Sequence, residues 1–112
     1  MINQLKNIDG VMAVVIFSEG PNPEPMAIYG EFPLDEAQRL SRFANDYLRM
    51  LQSLVDQFVK FTKSRQWNPV NGWAVHGPTY SAYGWGNLAC IVDNSKVNHN
   101  MINEVKDAFL NT

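Results

Sequence analysis

The sequence predicts an α+β fold built around one core, and three observations carry that expectation. Ala37, Leu40, Ala44, Tyr47, Leu51, Leu54, Phe58 and Phe61 recur at alternating spacings of three and four, the pattern of one long helix. Val11 to Phe17 is a run of seven apolar residues rich in β-branched types, which reads as a strand covered on both faces. Val97, Met101, Ile102, Val105, Ala108 and Phe109 line one side of a closing helix. A chain of 112 residues has room for one core, so a single domain over 1–112 is expected.

Taken in order, Ile2, Leu5 and Ile8 sit at helical spacing, and Gly10 suits the left-handed position after a helix end. The strand at Val11–Phe17 follows. Residues 18–25 hold three of the six prolines and must be a loop. Met26 to Phe32 is a second strand, completing a hairpin. Pro33 opens the long helix, where its missing N–H costs nothing. Pro69 and Gly72 end that helix beyond Arg65, in a turn flanked by Trp67 and Trp73. Trp73–His76, Tyr80–Trp85 and Asn87–Val92 read as three short strands, and Asp93-Asn94-Ser95 supplies cap candidates for the last helix.

No Gly or Pro interrupts Leu34 to Trp67, which implies one helix of roughly 30 residues and about 45 Å. A compact chain of this size has a diameter of roughly 35 Å. The helix thus outruns its own globule, and its simplest neighbour is a second copy of itself. Ala37, Leu40, Ala44, Tyr47, Leu51, Leu54 and Phe58 are the expected dimer interface, with Leu51 near the midpoint. A second apolar set, Phe43, Leu48, Met50, Val55 and Val59, lets one set cover a sheet while the other meets the partner. Arg42, Arg49, Asp56 and Lys63, seven apart, leave a wet stripe.

The element order and these residues together resemble the roadblock/dynein light chain superfamily over essentially the whole chain. The carriers are the opening helix ending in Ile8-Asp9-Gly10-Val11, the apolar first strand, the Ser18-Glu19-Gly20 hairpin start, the long helix and the closing amphipathic helix. Trp67-x-Pro69-x-x-Gly72-Trp73 looks like the segment of a bacterial roadblock-like subfamily of unassigned function. The resemblance implies a profilin-like sandwich: a five-stranded antiparallel sheet with the long helix on one face and both terminal helices on the other. It also implies homodimers whose long helices pack together, and a regulatory or scaffolding role beside small GTPases or larger complexes, without enzymatic chemistry.

The candidate chemistry is sparse. There is no Gly-Lys-Ser/Thr phosphate loop, and Gly84-Trp85-Gly86 is no dinucleotide fingerprint. His76, Cys90 and His99 are the soft metal ligands apart from methionine, and no two share a helical or zinc-finger spacing, so no metal or cofactor is expected. Ser81 and Ser95 lack a nucleophile elbow or a nearby base, and the carboxylates are scattered. The single cysteine lies in an apolar run and reads as a buried thiol. A net charge of −2 excludes an obvious nucleic-acid binder. The N-terminus lacks signal-peptide organisation and no apolar stretch reaches membrane-spanning length, so a cytoplasmic, non-membrane protein is expected.

The aromatics admit two readings. Tyr83 and Trp85 share one strand face, while Gly84 and Gly86 clear the other for close approach. Trp67, Trp73, Tyr83 and Trp85 either pack the core or form a recognition surface. The expected function is a non-catalytic homodimeric interaction module. A small-ligand sensor with an aromatic-lined pocket between sheet and helix is the alternative, and an enzyme subunit completed by a partner comes third.

Overall fold

The computed structural model describes residues 2–64 and 71–110. Its elements are α1 (Ile2–Lys6), β1 (Val11–Phe17), β2 (Pro25–Tyr29), α2 (Leu34–Ser53), α3 (Val55–Thr62), β3 (Gly72–His76), β4 (Tyr80–Trp85), β5 (Leu88–Asp93) and α4 (His99–Leu110). The strands form one sheet in the order β2-β1-β5-β4-β3, and every neighbouring pair is antiparallel. The β1–β5 pairing, with Val14 opposite Cys90 and Val15 opposite Ala89, joins the two halves of the chain.

Strand alternation sends successive residues to opposite faces and so divides the core in two. Val14, Tyr83, Trp85, Cys90 and Val92 pack with Leu5 of α1 and Ile102 of α4. On the other face Val15, Phe17, Ala89 and Trp73 pack under Ala37 and Ala44 of α2. The central helix therefore covers one face and both terminal helices cover the other. Phe17, Leu5, Ile102 and Val14 are almost completely buried, and each such side chain contributes roughly 1.5–3 kcal/mol of hydrophobic stabilisation.

Gly10 holds the corner between α1 and β1. Its φ is 90°, and a Cβ there would lie 2.6 Å from the Val97 backbone nitrogen, so both conformation and space demand glycine.

Four boundaries differ from the sequence expectation. β2 stops at Tyr29, because Gly30 (φ 95°) turns the chain and Phe32 folds onto the α2 side of the core. Asn87 lies in the β4–β5 turn rather than in β5, where its side-chain amide donates to the Phe17 carbonyl at 2.8 Å. The last helix starts at His99: Asn98 Oδ1 accepts the Asn100 N–H at 3.0 Å as its cap. Asp93-Asn94-Ser95 forms a turn instead, and the Ser95 hydroxyl and N–H on Asp93 hold that carboxyl below the usual carboxylate range.

The fourth difference is the largest. The central helix is not continuous; it breaks at Leu54, whose φ and ψ are −100° and 6°. The Ser53 hydroxyl donates to the Met50 carbonyl at 2.6 Å, the acceptor that the Leu54 N–H would use in an unbroken α-helix. Leu54 N–H turns instead to the Leu51 carbonyl at 3.0 Å. The chain resumes as α3 and ends at Thr62, with Lys63 left-handed (φ 56°). The expected extension past Arg65 and the Trp67–Pro69 turn lie outside the described residues.

Candidate functional site

The heptad stripe does not stay on one side of its helix. An α-helix has 3.6 residues per turn, so a seven-residue repeat drifts about 20° per heptad. The burial follows that drift. Ala37 and Ala44 are 0% and 2% exposed against the sheet, Leu40, Tyr47 and Leu51 are half-buried, Leu54 is 44% exposed and Phe61 is 76% exposed. Phe58 is half-buried on α3, a helix with no fully buried residue.

This corrects the expected interface at Ala37 and Ala44, which their own sheet covers. Leu40, Tyr47 and Leu51, half-buried, pack in part against the same core. In the second apolar set, Leu48 joins that core while Phe43 and Met50 are exposed. Phe43, Met50 and Leu54, spaced seven and four apart, fall within about 40° of one another on the α2 wheel and make an exposed apolar stripe, and Phe61 is exposed on α3 beyond the break.

The aromatics give the opposite result. Trp73, Tyr83 and Trp85 are buried, so they are core residues and not an exposed recognition patch; Trp67 lies outside the described residues. Trp73 on β3 sits opposite Gly84 on β4. A Cβ at Gly84 would lie 2.3 Å from the Trp73 ring, so the space cleared by the glycine is filled by the indole. Phe43 and Tyr47 from α2 stack on each other at 5.2 Å and meet Trp73 edge-on, each at 5.4 Å. Trp73 and Tyr47 occupy the layer between sheet and helix, and Phe43, 46% exposed, closes its outer edge. A cleft of about 450 Å³ lies instead beside the start of α2, against Met12, Glu31, Phe32 and Glu36. A second of about 380 Å³ lies between the β1–β2 loop and α2, against Glu19, Asn45 and Arg49. Neither collects the aromatic cluster that a ligand sensor would use.

One polar cluster was hidden from sequence reasoning. The β3–β4 register sets His76 opposite Ser81, and α4 begins beside them with His99. His76 Nδ1 lies 3.0 Å from Ser81 Oγ, which donates to Asn94 Oδ1 at 2.7 Å, and Asn94 Nδ2 donates to the Gly77 carbonyl at 2.7 Å. The Tyr83 hydroxyl is hydrogen-bonded to His99 Nδ1. The rings of His76, Tyr83 and His99 form a triangle with sides of 5.6, 5.6 and 5.8 Å. Only the hairpin register, not residue spacing, signals this grouping.

A nearby Ser and His suggest a nucleophile and base, but the proton directions run the wrong way. The hydroxyl proton of Ser81 is committed to Asn94, so Ser81 receives a hydrogen bond from His76 instead of giving one. Ser81 is also 3% exposed. Cys90 is no better placed: burial pushes its thiol up to about 12, which leaves no thiolate near neutrality. Among the described residues no three His, Cys, Asp or Glu side chains gather as a metal-binding group.

This architecture is the Roadblock/LC7 fold. The structure is similar to that of a Roadblock/LC7 domain from Streptomyces avermitilis, with a TM-score of 0.66 over 98% of this chain and 94% of that one, at 11% sequence identity. By sequence the chain belongs to a family of uncharacterised conserved proteins, DUF2173, whose model matches residues 1–106. No curated protein matches it. Among the described residues no helix is long and apolar enough to cross a membrane.

Proposed function

We propose that this protein is a non-catalytic interaction module that self-associates through the outer stripe of its central helix. The observation that carries this reading is the exposure of Phe43, Met50 and Leu54 along α2 and of Phe61 on α3, a helix with no fully buried residue. Exposed apolar rows of this kind mark contact surfaces in soluble proteins. A second copy is the occupant because the long helices pack together in the roadblock homodimers that the chain resembles. Leu54 and Phe58 remain from the interface expected on sequence; Phe43, Met50 and Phe61 join them.

The dimer then serves as a platform for a further protein, and a small GTPase is the partner class to test first. Polar groups at His76 and Ser81 are arranged for structure and not for nucleophilic attack, which supports the non-enzymatic reading. The decisive measurement is sedimentation of the wild type and of Leu54→Glu. Burying an unpaired charge at the interface costs several kcal/mol. The wild type is expected to be dimeric at micromolar concentration and Leu54→Glu monomeric with unchanged circular dichroism. A monomeric wild type overturns the proposal.

A further inference from the structure

We propose that His76 and His99 form a two-imidazole site for a borderline divalent transition-metal ion, of which Zn²⁺ is the probe of choice. The site lies on the β3–β4–α4 side of the molecule and is independent of the helical stripe.

The first argument is separation. The ring centroids lie 5.6 Å apart with planes inclined at 79°. An imidazole nitrogen binds zinc at about 2.0–2.1 Å, which puts each ring centre roughly 3.2 Å from the ion. Two rings sharing one ion then have centres about 5.2 Å apart at a tetrahedral angle and about 6.4 Å apart when opposed. The observed separation lies between these limits.

The second argument is proton placement. Gly77 offers only a carbonyl, so it must face the amide nitrogen of Asn94, and Asn94 Oδ1 must accept from Ser81. With its own proton committed, Ser81 Oγ can only accept from His76, so the hydrogen of the neutral His76 ring sits on Nδ1. Nε2 is therefore the lone-pair nitrogen. His99 Nδ1 is held by the Tyr83 hydroxyl, and when Nδ1–H donates to that oxygen, Nε2 carries the lone pair there too. Each imidazole has its Nδ1 held by a hydroxyl of the sheet, and in the Nδ1–H tautomer of both rings each Nε2 carries a lone pair, the arrangement typical of metal-binding histidines.

Access is the third argument. His76 is exposed and His99 half-buried, while Ser81 and Tyr83, which orient them, are buried and rigidly placed on β4. Water completes the coordination shell. Two protein ligands are fewer than the three or four of most zinc sites, so micromolar affinity is expected.

The test is isothermal titration of the untagged full chain with zinc chloride, alongside His76→Ala and His99→Ala. The wild type should show saturable micromolar binding, and each variant should bind at least about 10-fold more weakly. Because His99 opens α4 and its variant can unfold, the wild type is also followed by imidazole ¹H–¹⁵N spectra. Zinc should shift Nε2 of both rings together. Binding only at millimolar zinc, affinity unchanged in His76→Ala, or movement of one ring alone overturns the proposal.

Discussion

The two ends of the central helix are built from the same heptad pattern and meet opposite fates. At the α2 end, Ala37 and Ala44 press against Val15, Phe17 and Ala89, small residues that let the helix approach the sheet closely. At the α3 end, Phe61 stands in solvent and no residue of the helix is fully buried. Repetition in sequence is therefore not repetition in environment. The pattern drifts about 20° per heptad on a straight helix, and the break at Leu54 adds to the divergence. One half anchors the fold and the other offers a surface.

The largest effect should separate these halves outright. Trp73→Ala removes the indole that Phe43, Tyr47 and Gly84 surround, and should cost about 3–5 kcal/mol in chemical denaturation. Phe61→Ala should leave monomer stability within about 0.5 kcal/mol and act only on self-association. Comparable losses from both would erase the distinction. Gly84→Ala comes next. Its methyl group would press on the Trp73 ring, which Phe43 and Tyr47 hold from the α2 side, and overpacking of this kind costs about 1–3 kcal/mol. A neutral result would mean that Trp73 can shift.

The face under α1 and α4 can be probed through Cys90. Burial raises its thiol from the ordinary 9.0 to about 12, so the folded chain keeps a proton that the unfolded chain loses above pH 9. Stability should therefore fall as pH rises from 9 towards 12, by at most about 1.4 kcal/mol per pH unit from this group. Tyr83, raised by burial and then by the neighbouring Cys90, adds a loss of the same sign. Urea titrations of the wild type and Cys90→Ala across that range measure the difference, and equal slopes would show the thiol to be more open than its burial implies. The smallest effect belongs to the break. Ser53→Ala frees the Met50 carbonyl for Leu54 and adds about 0.5 kcal/mol of helix propensity, so helicity by circular dichroism should rise slightly. Unchanged helicity would place the cause of the break elsewhere than in that hydroxyl.

Much of this protein is determined by patterns that act over a few residues. The apolar run at Val11–Phe17 makes a central strand because a continuous hydrophobic segment needs cover on both faces. Gly10 and Pro33 mark corners because one tolerates a positive φ and the other lacks an N–H. Those signals led to the order of elements and the two-faced sheet. They did not reveal which apolar row of the central helix faces inward, because both rows are apolar and only contact with a particular sheet distinguishes them. Nor did they reveal that Trp73 fills the gap above Gly84, that the central helix breaks at Leu54, or that His76, Ser81 and His99 meet. The meetings of Trp73 with Gly84 and of His76 with Ser81 depend on strand register, which exists only once the chain has folded, whereas the break at Leu54 is a local change of hydrogen bonding that an uninterrupted apolar pattern does not signal.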